Sequence, residues 1–181
     1  MSENGIEIWT IGHSTRPIEE FIEALNAFEI KLLADVRSFP GSHRHPQFNK
    51  ENLLASLLAV GIEYHHFPEL GGRRRAEPDS RNVAWRNESF RGYADYMESK
   101  TFREGMARLL DPAGARRTAI MCAEAVWWRC HRSLISDYLK ARGNQVTHIL
   151  APGKSESHPF TTAARIVNGK LSYRGILEPE G

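Results

Sequence analysis

Five short apolar runs, separated by stretches of helical period, constrain this chain more than any other feature. IEIWTIG at 6–12 is the first; IKLLADVRS, IEYHHFPEL, RTAIMCAE and QVTHIL follow at 30–38, 62–70, 117–124 and 145–150. Apolar runs of this length bounded by turn residues read as strands. Between them Phe21, Ile22, Leu25 and Phe28 recur at helical spacing behind Pro17, Glu19 and Glu20, which suit a first helical turn. Asn49 is placed to cap a second helix with a stripe of Leu53, Leu54, Leu57 and Leu58. Apolar residues return at helical spacing from Phe90 to about Leu110, and a last helix carries Leu134, Ile135, Tyr138 and Leu139 before Gly143.

Strands joined by helices imply right-handed crossovers and parallel pairing. The expected fold is therefore a single α/β domain over residues 1–181: a mostly parallel five-stranded sheet with helices on both faces, plus a C-terminal β-hairpin turning at Asn168 and Gly169 and packing on an edge. PGKSESHP, 152–159, is expected to be a mobile connector.

Composition narrows the class. Hydrophobic residues are 41% and charged residues 25% of 181, ordinary for a globular chain. No apolar run approaches the roughly 20 residues of a spanning helix, and MSENGIEIWT lacks the regions of a signal peptide, so a cytoplasmic protein without membrane contact is expected. Two cysteines make no disulfide framework; in a reducing cytosol both are free thiols unless chemistry uses them. A net charge of +2 gives no global field.

In parallel α/β folds, ligands bind beyond the carboxyl ends of the strands. Here those ends carry His13 and Ser14, Asp35 and Arg37, Glu69, then Cys122 and Glu124; the fifth ends in Ala151 and Pro152. MCAEAVWWRCHR, 121–132, reads as a strand running straight into a helix. Cys122 is then either a small buried hydrophobe or a thiolate held by the helix N-terminus with Arg129 or Arg132, and so a nucleophile. Glu124 is a helix-cap carboxylate or a general acid–base.

Cys130 and His131 are zinc-type ligands, but adjacent helical residues diverge by about 100° and the seven residues between the cysteines exceed a zinc knuckle. No metal site and no cofactor are expected, and His131 reads as a core histidine. Asp35 and Arg37 form an ion pair holding a loop; compatibly with that, Asp35 is a candidate for proton transfer while Arg37 and Arg44 present forked donors to a phosphate or carboxylate. Glu69 precedes a glycine turn and Arg73–Arg75, an anion grip or a solvated loop. Trp127 and Trp128 read as half-buried packing or as a stacking platform.

The ordered motifs TIGHSTR, ADVRSFPGSHRHPQFN, ELGGRR, FRGYADYM, MCAEAVWWRCHRSLI and HPFTTAARIVNGKLSY resemble the family catalogued as domain of unknown function 488, from about Ile8 to Arg174. The resemblance implies a single α/β domain whose motif residues group together, and names no activity. Its pattern falls on His13, Ser14, Asp35, Arg37, Ser42, Phe48, Asn49, Glu69, Gly71, Gly72, Cys122, Glu124, Cys130, His131 and Arg132. A weaker fold-level likeness links the chain to rhodaneses and cysteine phosphatases; the phosphatase spacing Cys-x₅-Arg is not met, since position 128 is Trp.

Two functional expectations follow. One is a cytoplasmic enzyme with a pocket at the strand carboxyl ends for an anionic small molecule or nucleotide-like ligand. There Cys122, Glu124 and Asp35 would do the chemistry, and His13, Ser14, Arg37, Arg44, Asn49, Glu69, Cys130, His131 and Arg132 would hold the ligand. The other is a non-catalytic nucleic-acid-binding module using the arginine-rich segment 73–91. Oligomeric state is not legible.

Overall fold

The computed structural model describes residues 5–41 and 43–175. In chain order the elements are β1 (Glu7–Gly12), α1 (Ile18–Ala27), β2 (Leu32–Asp35), α2 (Lys50–Leu58), β3 (Glu63–His66), α3 (Glu88–Tyr96) and α4 (Lys100–Ala113). β4 (Thr118–Cys122), α5 (Arg132–Ala141), β5 (Gln145–Ala151), β6 (Lys154–Ser157), β7 (Arg165–Val167) and β8 (Lys170–Ser172) follow. The main sheet runs β3-β2-β4-β1-β5-β6. Its first five strands are parallel and are the five read from the sequence.

The sixth strand corrects the expected connector at 152–159. Gly153 adopts left-handed backbone at φ 75°, the chain reverses, and β6 pairs antiparallel with β5. Lys154–Ser157 contains no apolar residue and is wholly exposed, so it had no hydrophobic pattern to betray it. The hairpin turn does fall at Asn168 and Gly169, both at positive φ, as a type I′ turn requires. β7 and β8 form their own sheet, which sits against α5 through Tyr173 and not on an edge of the main sheet.

Side chains alternate across the strands and give two cores. Trp9, Ile11, Leu33, Ala119 and Met121 face Phe21 and Leu25 of α1 and Leu53 and Leu57 of α2. Ile8, Ala34, Ile120 and Cys122 face the opposite way, onto Tyr93 of α3, Phe102 and Met106 of α4, and Leu134 and Ile135 of α5. Leu54 and Leu58, expected in the α2 stripe, are 43% and 73% exposed; a helix over a sheet buries a narrower arc than four leucines fill. The 90–110 periodicity is broken into two helices because Ser99 caps α4, accepting the Phe102 amide. No helix among the described residues is long and apolar enough to cross a membrane.

One local correction matters for chemistry. β4 ends at Cys122 and α5 begins at Arg132, with residues 123–131 between them carrying a 3₁₀ turn at Trp127–Arg129. The strand does not run straight into the helix, so Cys130, not Cys122, lies at the α5 N-terminus.

Candidate functional site

β4 lies between β2 and β1, so Cys122 emerges at the middle of the sheet's carboxyl edge. The loop after it is clamped by β1. The His13 amide donates to the Cys122 carbonyl at 2.9 Å and the Ser14 amide to the Ala123 carbonyl at 3.0 Å. Gly12 is required there: any side-chain carbon would overlap the Glu124 carbonyl. Backbone contact this close admits only glycine.

Asp35 and Arg37 form one buried unit. Arg37 Nε and Nη2 donate to Asp35 Oδ1 and Oδ2 at 2.9 and 2.8 Å, the Arg37 amide donates to Oδ1 at 3.0 Å, and Tyr64 donates its hydroxyl to Oδ2 at 2.5 Å. A forked pair of this kind fixes orientation as well as charge. Burial first, then the charge and hydrogen bond of Asp35, push the Tyr64 phenol well above its ordinary value. His13 donates from Nδ1 to the Ser14 carbonyl at 2.8 Å, so Nε2 carries the lone pair that meets Arg37 Nη1 at 3.4 Å. The ring stacks on Phe48 with centroids 4.3 Å apart. Burial lowers the His13 pKa to about 4 and keeps the imidazole neutral beside Arg37.

The thiols form a second unit. Cys122 is 1% exposed; its Sγ donates to the Glu124 carbonyl at 3.6 Å, and Cys130 is packed in the same core cluster. Cys130 Sγ accepts the Arg132 amide at 3.4 Å, the first turn of α5, and lies 3.5 Å from His131 Nδ1. His131 Nε2 donates to the Val36 carbonyl at 3.2 Å, which leaves Nδ1 as the acceptor facing Cys130. Gly72 makes room for this ring, its missing side chain standing 3.0 Å from Nδ1. Burial holds His131 neutral with a pKa of about 4.

Arg132 is 2% exposed, and its charge acts on both thiols. Its Nη2 reaches the Glu124 and Ala125 carbonyls at 3.4 and 3.3 Å, while Nε and Nη1 have no hydrogen-bond partner. It makes no ion pair with a carboxylate among the described residues. Burial would raise the Cys122 thiol, but the interaction with Cys130 and the Arg132 charge outweigh it and bring the pKa down to about 7. Cys130 goes the other way: burial and its interaction with Cys122 push it well above an ordinary thiol.

These units line one pocket of about 340 Å³, whose wall includes Arg37, Cys122, Glu124, Cys130, His131 and two exposed arginines, Arg73 and Arg129. Phe39, 76% exposed, stands at its mouth. Of the residues singled out in the sequence, Asp35, His13 and Arg132 back this wall. Glu69 turns away into an ion pair with Arg108 on α4. Asn49 sits at the N-terminus of α2 without a side-chain cap bond, Arg44 is exposed in the preceding loop, and Ser14 is a half-buried turn residue at φ 50°. Ser42 lies outside the described residues.

Tyr64, Ser38 and Phe39 were not singled out in the sequence. Tyr64 pairs with Leu33 one strand away, and its alternation partner His66 donates to the Arg37 carbonyl at 2.7 Å; the polar alternation Tyr64–His66 was the available signal. Also unforeseen is a buried chain in which Thr10 meets His148 at 2.5 Å, His148 meets His158 at 2.8 Å, and His158 meets Asp137 at 2.8 Å. Trp127 is buried and stacks on His148, while Trp128 is exposed. In the arginine-rich connection, Arg74 lies over the Tyr96 ring and Arg91 donates to the Trp85 carbonyl. A larger cavity of about 790 Å³ between α3, α5 and β8 holds none of the thiol-site residues. Among the described residues no three His, Cys, Asp or Glu side chains are grouped to hold a metal ion.

The model of one protein family, Domain of unknown function DUF488, matches residues 17–139, more than half of the chain and including every pocket residue named above. No curated protein and no solved structure matches the chain.

Proposed function

Since the chain belongs to the domain of unknown function 488 family, whose description carries no activity, the reading of its site rests on geometry, and we propose that it is a thiol enzyme acting on an anionic small molecule. The observation that carries this is Arg132. A buried guanidinium without a counter-ion is costly, since its desolvation is unrepaid. The thiolate of Cys122 is the group beside it that supplies negative charge, so folding around Arg132 favours the ionised sulfur. A thiolate, unlike a thiol, is a nucleophile.

Around that sulfur the roles divide. Arg37, locked by Asp35 and faced by a neutral His13, is a fixed positive wall; Asp35 has both oxygens occupied and acts by positioning. Arg73 and Arg129 are exposed at the mouth and attract anions, and Glu124 is the acid–base candidate nearest the thiol. Phe39 offers a ring face to an apolar or aromatic part of the ligand.

The test is the charge preference of alkylation at Cys122. An ordinary thiol reacts more slowly with anionic iodoacetate than with neutral iodoacetamide. This pocket should raise the iodoacetate-to-iodoacetamide rate ratio about tenfold over free cysteine, and Arg73→Gln with Arg129→Gln should abolish the gain. A ratio equal to that of free cysteine refutes the reading. The nucleic-acid alternative retains the outward Arg73, Arg75, Arg81 and Arg86; it predicts salt-sensitive binding that survives capping of Cys122.

A further inference from the structure

The thiol site holds two sulfurs, a neutral imidazole and four arginines, more than a single nucleophile needs. We infer that Cys122 and Cys130 are a dithiol couple that reduces a small disulfide carrying carboxylates, closing an intramolecular disulfide in the process. This rests on the thiolate reading above and names the substrate class.

Three observations support it. The two buried side chains pack in one core cluster, although seven residues separate them in sequence. Both line the same 340 Å³ pocket, so a group bonded to one sulfur stays within reach of the other. Their surroundings differ in the way a two-step exchange requires. Cys122 is the thiolate facing Arg132, whereas Cys130 retains its proton beside His131 Nδ1, 3.5 Å away. That nitrogen is held as an acceptor because Nε2 is committed to the Val36 carbonyl.

The exchange balances as follows. The Cys122 thiolate attacks one sulfur of the substrate disulfide, forming a mixed disulfide and releasing the first half as a thiolate. Cys130 then attacks Cys122 Sγ; as the mixed disulfide breaks, its proton is relayed by His131 Nδ1 to the leaving sulfur, and the second half departs as a thiol. The dithiol loses two electrons, the substrate disulfide gains them, and one thiolate and one thiol depart. Attack by a thiolate on a disulfide, with resolution by a neighbouring thiol, is the general course of such exchange. Arg73 and Arg129, without ion pairs among the described residues, flank the path of a carboxylate-bearing substrate.

The experiment exposes the reduced full chain to oxidised glutathione or to cationic cystamine, followed by intact mass and peptide mapping. The wild type should lose two hydrogens and form a Cys122–Cys130 disulfide. Cys130→Ser should instead accumulate one glutathione on Cys122, and Cys122→Ser should take up none at Cys130. Oxidised glutathione should outpace cystamine by about tenfold after correction for their rates with free cysteine. Stable glutathione adducts on both thiols of the wild type, or faster reaction with cystamine, overturn the inference; the wild type alone decides this should a variant fail to fold. If iodoacetate selectivity at Cys122 holds but no internal disulfide forms, this inference fails and the thiolate reading stands. If Cys122 is inert to both reagents, both fail.

Discussion

Replacing Arg132 by Met keeps an unbranched apolar stem and removes the charge, and its effect on Cys122 can be worked from the site. The thiol sits at about 7 because the interaction with Cys130 and the Arg132 charge together outweigh burial. A close opposite charge lowers an acid by roughly 1–3 units. Without it the burial penalty remains and the inflection should climb to about 8 or above, a loss of at least ~1.4 kcal/mol of thiolate stabilisation. At pH 7 the ionised fraction falls from about one half to under about one tenth. Nucleophilicity recovers some of this, roughly threefold per unit for a Brønsted slope near 0.45. Net reactivity toward the small, uncharged methyl methanethiosulfonate should therefore drop about twofold at pH 7 and exceed the wild type about threefold where both are fully ionised. The two pH–rate profiles cross. Arg132→Lys should keep most of the low inflection. An inflection unmoved in a folded Arg132→Met variant refutes the counter-ion argument.

Other outcomes follow from the same packing. Asp137 is fully buried and accepts hydrogen bonds from His158, Thr161 and Tyr173; Asp137→Asn should destabilise by roughly 3 kcal/mol in urea unfolding while leaving Cys122 alkylation in the folded fraction unchanged. Gly12→Ala drives a methyl into the Glu124 backbone and should cost about 2 kcal/mol or more and slow Cys122 alkylation, since the loop clamped by β1 must shift. His13 and His148 are held neutral by burial, at about 4 and about 2, whereas the unfolded chain protonates histidine near 6.5. The unfolded state therefore binds more protons below pH 6.5, and stability that is complete above that pH is lost as pH falls toward 4. His13 alone accounts for roughly 3 kcal/mol of this, read as a falling urea midpoint that His13→Gln makes shallower.

Much of the frame was legible because it is written in periodicity. All five parallel strands and the helices between them came from apolar runs and turn residues, and Asn168–Gly169 announced its own turn. β6 escaped because Lys154–Ser157 is an exposed edge strand with no apolar residue, held by backbone pairing with β5 and by the Trp127 indole N–H donating to Glu156. The loop between Cys122 and Arg132 escaped because VWW reads as apolar continuity, whereas Trp127 turns inward onto His148. For the site, convergence of Arg37, Cys122 and Glu124 on one pocket followed from strand-end logic. The direction of Glu69 did not: its partner Arg108 and the small Gly105 that admits it lie on α4, 36 or more residues away in sequence. Nor did the sharing of one pocket by the two thiols, which depends on how residues 123–131 fold back.

The ultraviolet absorbance of thiolate, followed from acid to alkaline pH in reduced wild type and in Cys122→Ser, tests the central claim most directly. The account predicts one thiolate appearing near pH 7 and absent from the variant. A first thiolate appearing only at or above the ordinary thiol value of about 8.5, or one near 7 that persists without Cys122, would contradict it.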